Sequence, residues 1–173
     1  MRLSLLLAAS LFPATVFAAG SNDSTPPSKP KCVEGKVYDT ETKGCVDAQS
    51  HLLDDDERYR SMREYAYARS FDEAYHVLDA MQDQSADGVL TYRGYLARST
   101  GDYPAATKWY DAALESNPDN LLARSYLGQF YVLQDKEELA NEQLIQIRAR
   151  GGAGKWPETA LAQAINAGYI SSY

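Results

Sequence analysis

The stretch that decides the fold is Leu90–Asn120, which reads LTYRGYLARSTGDYPAATKWYDAALESNPDN. Apolar residues recur in it with the spacing of two helices, and Gly101 lies between them. The recurring positions are Tyr92, Tyr95 and Leu96 in the first helix and Ala106, Tyr110 and Ala113 in the second. Gly101 and Asp102 supply a turn, and Pro104 is tolerated in the first turn of a helix. The stretch therefore predicts a helical hairpin.

The same pattern returns 34 residues later, the distance from Gly94 to Gly128. Residues 124–151 read RSYLGQFYVLQDKEELANEQLIQIRARG. Small or apolar residues recur in step, Ala106 with Ala140, Tyr110 with Leu144 and Ala113 with Ile147. A shorter, earlier copy runs through Met62, Phe71, Ala74, Leu78 and Met81. A period of this length predicts stacked helical hairpins that bury their apolar faces on one another.

Polar residues predict where the helices begin and end. Ser70 with Glu73 forms the pattern of a capping box, and Asp135 with Glu138 resembles one. Pro118 ends one helix before Asp119-Asn120, which can cap the next.

These residues resemble the tetratricopeptide repeat. The best copy carries Gly94, Gly101-Asp102-Tyr103, Ala106, Tyr110, Ala113-Leu114 and Pro118. The following copy keeps Leu127-Gly128, Tyr131, Ala140 and Ile147, and the first copy keeps Tyr65, Phe71 and Ala74. The resemblance covers residues 54–152 and implies an all-α solenoid of about three helical hairpins. A helix within residues 156–168, with Trp156, Leu161, Ala164 and Ile165 on its apolar edge, is expected to cap it.

Packing expectations follow from the same register. Small residues such as Gly94 and Ala106 are expected where helices approach closely. Tyr103 and Tyr110 are expected to pack between helices, and Ala112 is expected to point outward.

The N-terminus has the layout of a cleavable secretory signal over residues 1–18. Arg2 precedes an apolar run from Leu3 to Leu11, which is too short to span a bilayer. Residues 19–31 follow, and their Pro-rich, polar composition predicts a flexible linker. We therefore expect a periplasmic or secreted protein.

Cys32 and Cys45 bound a short unit, residues 32–46. In an oxidising compartment two Cys at this separation are expected to pair and to pin a hairpin that hangs from the linker. On that interpretation, loss of Cys32 should barely affect the helices. The pattern Cys32, Gly35, Tyr38, Asp39, Cys45 also resembles the middle of a peritrophin-like chitin-binding module, a family that uses six Cys. Glycan binding by this hairpin is the alternative function.

Composition argues against several other classes. A formal net charge of -7, from 17 basic and 24 acidic residues, disfavours a nucleic-acid partner. Asp83–Gly88 starts like a calcium loop, but Gly94 stands where its Glu should be. Gly151–Lys155 lacks the residues of a phosphate loop, and Asp54–Glu57 suits the first turn of a helix. Neither His51 nor His76 has a ligand or nucleophile partner at suitable spacing. We therefore predict no enzyme, no metal and no cofactor.

The remaining hypothesis is a protein-binding surface. In the family that the repeats resemble, the first helix of each repeat lines a concave groove. On that pattern the groove-lining residues would be Tyr59, Arg60, Arg63, Tyr67, Thr91, Tyr92, Tyr95, Arg98, Ser125, Tyr126 and Gln129. Tyr and Arg are enriched at binding hot spots, and guanidinium groups pair well with carboxylates. We expect a non-catalytic adaptor that binds a peptide or protein bearing carboxylates, with Arg63 and Arg98 outside the core.

Overall fold

The computed structural model describes residues 31–170, so the predicted signal, residues 1–18, and residues 19–30 of the predicted linker lie outside the described chain. The described part is mostly helical. Two strands, β1 (Val37–Asp39) and β2 (Gly44–Val46), precede the helices. The helices are α1 (Asp55–Tyr67), α2 (Phe71–Asp79), α3 (Asp87–Thr100), α4 (Tyr103–Ser116), α5 (Leu121–Val132), α6 (Glu137–Ile147) and α7 (Trp156–Ala167). A π-helical segment, Arg148–Gly152, whose backbone leaves helical geometry at Arg150 and Gly151, joins α6 to the loop before α7. Among these elements, none is both long and apolar enough to cross a membrane.

Consecutive helices pack in pairs, α1 with α2, α3 with α4 and α5 with α6. Each pair is joined by a connection of two to four residues, so its two helices run back along each other. Helix α5 also packs against α3 and α4, and α7 packs against α5 and α6. The largest cluster of buried side chains extends from the strands through α1 to α5. Successive pairs therefore share one core.

Side chains cap three of the helices, and one predicted helix start is wrong. The Asp102 and Asn120 side chains accept hydrogen bonds from the main-chain N–H groups three residues on, and Asp54 caps α1 in the same way. Ser70 precedes α2 as predicted, but its side chain makes no capping hydrogen bond. The predicted cap at Asp135 is wrong, because its φ of 57° turns the chain and α6 begins one residue later than that cap requires.

The packing expectations on α4 are met in part. Ala106 and Tyr110 are fully buried, as predicted. Tyr103 is 45% exposed, although the edge of its ring contacts Phe130 at 5.3 Å between centroids. Ala112 does not point outward, since it is half-buried against a cluster that joins α3, α4 and α5.

The disulfide between Cys32 and Cys45 is present, and β1 and β2 form the antiparallel hairpin that it closes. The hairpin does not hang free of the helices as predicted. Val37 is fully buried in the main core, and β1 packs along α1. The Tyr65 hydroxyl donates to the Lys36 carbonyl oxygen at 2.9 Å. The Cys-bounded unit is therefore part of the helical core.

Two carboxylates on α1, those of Glu57 and Glu64, also bind the hairpin and the residue before it. Glu57 Oε1 accepts hydrogen bonds from the Thr40 amide at 2.8 Å and from the Thr40 hydroxyl at 2.6 Å. Glu64 accepts one from the amide of Lys31 at 2.9 Å. These contacts hold the first described residues against α1.

Helix α7 packs against α5. Leu161 is fully buried, and a Cβ on Gly128 would lie 2.6 Å from its Cδ2 atom. Ala164 is buried beside it, whereas Trp156 and Ile165 are half-buried. Gly128 thus lets α5 and α7 approach closely.

Candidate partner-binding site

Aromatic and arginine side chains from every other helix gather in one place, which we call the tyrosine–arginine cluster. Helices α1, α3, α5 and α7 supply its members, and each of the first three is the first helix of a pair. The members are Tyr59, Arg63, Tyr67, Tyr92, Tyr95, Arg98, Tyr126 and Trp156. Seven of the eight were predicted to line a groove, and the structure brings these seven together.

Edge-to-face and tilted contacts connect the rings across the helices. The Tyr92 ring meets Tyr59 at 5.5 Å and Tyr126 at 6.1 Å between centroids, both nearly perpendicular. Tyr95 and Tyr126 are 5.1 Å apart, and Tyr126 reaches Trp156 at 6.1 Å. Such pairs contribute about 0.5–1.5 kcal/mol each beyond the area that they bury. The rings therefore help to hold the successive pairs in register.

The hydroxyl groups form a chain of hydrogen bonds beside the rings. Arg63 Nε donates to the Tyr92 hydroxyl at 2.9 Å, and this hydroxyl donates to that of Tyr67 at 3.2 Å. The Tyr67 and Tyr126 hydroxyls are hydrogen-bonded to each other. One guanidinium is thereby linked to three tyrosines from three helices.

Arg98 has an unusual environment for a charged group. It is 7% exposed, and its Nη1 donates to the main-chain oxygen of Tyr126 at 3.2 Å. Its guanidinium carbon lies 5.2 Å from the Tyr95 ring centre and 5.5 Å from that of Tyr126. Within residues 31–170 it forms no ion pair with a carboxylate. A nearly buried cation thus faces rings and one carbonyl.

Burial makes three tyrosines of the cluster harder to ionise, because it raises their pKa. Loss of hydration raises the pKa of Tyr92 and of Tyr126 well above the ordinary value, and neighbouring tyrosines add to the effect. Burial also raises the pKa of Tyr95, although the positive charge of Arg98 opposes it. At neutral pH these groups are therefore neutral donors and acceptors beside two cations.

Four other predicted groove residues do not belong to this cluster. Thr91 accepts a hydrogen bond from Asn120, and Ser125 accepts one from Gln129. Thr91, Ser125 and Gln129 are fully buried, so they stabilise the interior rather than line a groove. Within residues 31–170 the Gln129 amide oxygen has no hydrogen-bond partner. Arg60 lies exposed on α1.

Burial also corrects the expectation of an open groove. Tyr92 and Tyr126 are fully buried, and Tyr67 and Tyr95 are 8% exposed. Arg98 belongs to the core, contrary to the prediction. The half-buried members are Tyr59, Arg63 and Trp156, and these present the accessible edge of the cluster. Trp156 was predicted only as an apolar edge, although its place at the start of the helix after the third pair was a signal for it.

The hairpin offers a smaller surface. The ammonium of Lys31 lies 4.7 Å from the centre of the half-buried Tyr38 ring, and Asp39 accepts hydrogen bonds from Glu41 and Thr42. Glycan binding here stays a prediction. No group of three or more His, Cys, Asp or Glu side chains that could hold a metal lies within residues 31–170.

Comparisons of the chain with protein-family models, with curated proteins and with solved structures found no match.

Proposed function

We propose that this chain is an exported tetratricopeptide-type adaptor that binds a peptide or protein segment at the accessible edge of the tyrosine–arginine cluster. Three helical pairs in succession, followed by a closing helix, support the solenoid interpretation. The glycines related by the 34-residue period, Gly94 and Gly128, each lie on the first helix of a pair, Gly94 against Tyr110 of its own pair and Gly128 against Leu161 of α7. Export is supported by the N-terminal sequence layout and by the disulfide.

The two guanidinium groups of the cluster carry the binding proposal, Arg63 at its accessible edge and the buried Arg98 beneath it. A cation removed from water is costly unless it is paired, and within residues 31–170 the neighbours of Arg98 are two rings and a carbonyl oxygen. Arg63, half-buried, brings a second guanidinium to the same rings. One cation at the edge of the aromatic cluster and a second beneath it, in an acidic protein, favour a partner segment that bears carboxylates.

A peptide-binding assay with the full chain tests this function. Immobilised peptide libraries are probed in matched forms, with a free C-terminal carboxylate or with an amide in its place. We expect carboxylate forms to be selected, and we expect Arg63→Ala to weaken their binding by about tenfold or more, the effect of one lost charged hydrogen bond.

Arg60→Ala is the matched control, because Arg60 is exposed on the same helix and lies outside the cluster. Equal binding of acid and amide forms, or equal loss in both variants, would refute the carboxylate preference. The absence of any bound peptide would refute the adaptor function at this site.

A further inference from the structure

A second surface lies at the far end of the array, where α7 has a different environment from the other odd-numbered helices. Helices α1, α3 and α5 are each covered by the helix that follows them. Helix α7 packs against α5, α6 and the π-helical segment, and no helix follows it within residues 31–170. One side of α7 is thus left without the helix that the earlier pairs possess.

Adjoining clefts run along this end of the molecule. A cleft of about 720 Å³ is lined by Asp135 to Leu139 and Asn141. It shares Asp135 and Glu137 with a second cleft, which Ile165 and Gly168 of the α7 end complete. We call this continuous surface the end groove.

The end groove combines apolar side chains with carboxylates that form no ion pair within residues 31–170. Leu139 is 39% exposed, and Ile165 is half-buried. The carboxylates of Asp135, Glu137 and Glu138 form no hydrogen bond or ion pair within residues 31–170. The neighbouring cation, Lys136, donates instead to Gln134 at 2.9 Å.

We propose that the end groove binds a basic amphipathic helix of a partner protein. The apolar face of that helix would pack on Leu139 and on Ile165, which lies where α7 meets α6. Lys or Arg along its edge would meet the carboxylates of Asp135, Glu137 and Glu138, which outnumber the single cation of the cleft, Lys136. Such a helix is recognised by apolar anchors one helical turn apart. This site is separate from the tyrosine–arginine cluster, where the favoured partner is acidic.

The test uses the full chain and two synthetic helical peptides of about 18 residues, or five turns. Both carry Leu at the same helical spacing, and the polar positions are Lys in one peptide and Glu in the other. Fluorescence anisotropy should show binding of the Lys peptide, weakened by added salt, and no binding of the Glu peptide. Absence of binding by the Lys peptide, or equal binding of both, would overturn the proposal.

Paired variants locate the binding site. Glu137→Gln with Glu138→Gln should weaken binding of the Lys peptide about fivefold to tenfold. The matched control, Asp111→Asn with Glu115→Gln on α4, makes the same change in net charge at exposed positions elsewhere. Equal loss in the two double variants would mean that the peptide responds only to net charge, and the site would be wrong.

The apolar contact has its own control. Leu139→Gln should weaken binding about fivefold, whereas Ile145→Gln, on the same helix and 60% exposed, should change it little.

Arg63→Ala should leave the peptide's affinity unchanged, because Arg63 belongs to the other site. A loss of affinity with Arg63→Ala would mean that the peptide binds at the tyrosine–arginine cluster. Sedimentation showing a dimer that Glu137→Gln with Glu138→Gln dissolves would assign the groove to a second copy. Either result would overturn the proposal.

Discussion

A Cβ atom on Gly94 would lie 2.6 Å from the Cδ1 and Cε1 atoms of Tyr110, so these two residues determine how closely α3 approaches α4. Tyr110 is fully buried and its ring contacts Phe130 at 6.2 Å between centroids, which leaves it little room to move. The repeat sequence places Ala106 beside this contact, one turn before Tyr110. Close approach of the two helices therefore depends on small side chains opposite one large ring.

Gly94→Ala should destabilise the protein although alanine favours helices. The propensity gain is about 1 kcal/mol, but displacement of the Tyr110 ring costs more, so we expect a net loss of about 1–3 kcal/mol in the free energy of unfolding. Chemical denaturation followed by circular dichroism measures it. Gly44→Ala is the control, since the nearest atom to its added Cβ is 3.8 Å away. An increase in stability with Gly94→Ala would contradict the close contact.

Removal of the disulfide should weaken the whole helical core. Closing a loop of about 15 residues stabilises a fold by about 3 kcal/mol in the chain-entropy model. Because Val37 of the hairpin is buried in the main core, Cys32→Ala with Cys45→Ala should lower the free energy of unfolding by about 2–4 kcal/mol in a single transition. Val33→Ala, at a site 71% exposed, should change it little. An unchanged helical transition would mean that the hairpin contributes nothing to the core.

The contact between Glu57 and Thr40 should make stability depend on pH. Hydrogen bonds from the Thr40 hydroxyl and amide hold the pKa of Glu57 below its usual 4.5. The unfolded chain then binds the proton more readily, so this contribution is present above about pH 4.5 and is lost as the pH falls through the lower, folded pKa. Glu57→Gln should therefore be less stable than the parent at pH 7, by an amount that shrinks in more acidic solution.

Urea unfolding at several pH values between neutrality and the acid limit of folding checks this dependence. Glu115→Gln, an exposed change on α4, should follow the parent at every pH. A deficit in Glu57→Gln that stays constant with pH would show that the ionised carboxylate is not what holds the hairpin.

Local signals in the sequence were sufficient to predict most helix ends. Asp102 and Asn120 act through main-chain groups only three residues away, so their role can be identified without knowledge of the fold. Asp135 failed as a cap because the left-handed backbone that its turn requires is not encoded in the capping pattern. The 34-residue period similarly identified Ala106 as a buried position, since small residues recur there.

Contacts between distant residues were not predictable from such signals. Docking of the hairpin depends on Tyr65 reaching Lys36, a pair 29 residues apart with no shared pattern. The groove residues were chosen by helical face, and that face contains both the half-buried Arg63 and the fully buried Tyr126. Periodicity assigns a residue to a side of a helix, but the neighbouring helices determine whether water reaches it.

Arg98 was predicted to lie outside the core but is buried, and this difference changes the expected effect of its substitution. Arg98→Ala should lower the free energy of unfolding by about 2–4 kcal/mol, because it removes a charged hydrogen bond to the Tyr126 carbonyl and the packing of a guanidinium between two rings. Arg98→Lys keeps the charge but not the planar group, so its loss should be smaller. Arg60→Ala, at an exposed site on α1, should stay within about 0.5 kcal/mol of the parent.

Thermal and urea unfolding of the three variants would rank their free energies of unfolding. Equal stability of Arg98→Ala and Arg60→Ala would contradict the buried position of Arg98. The same result determines how binding data are interpreted. A loss of peptide affinity in Arg98→Ala combines a missing contact with a weakened core, so it counts as a binding effect only under conditions where the variant is fully folded. Arg63 is half-buried but donates to the buried Tyr92 hydroxyl, so peptide binding by Arg63→Ala is likewise compared only under conditions where that variant is fully folded.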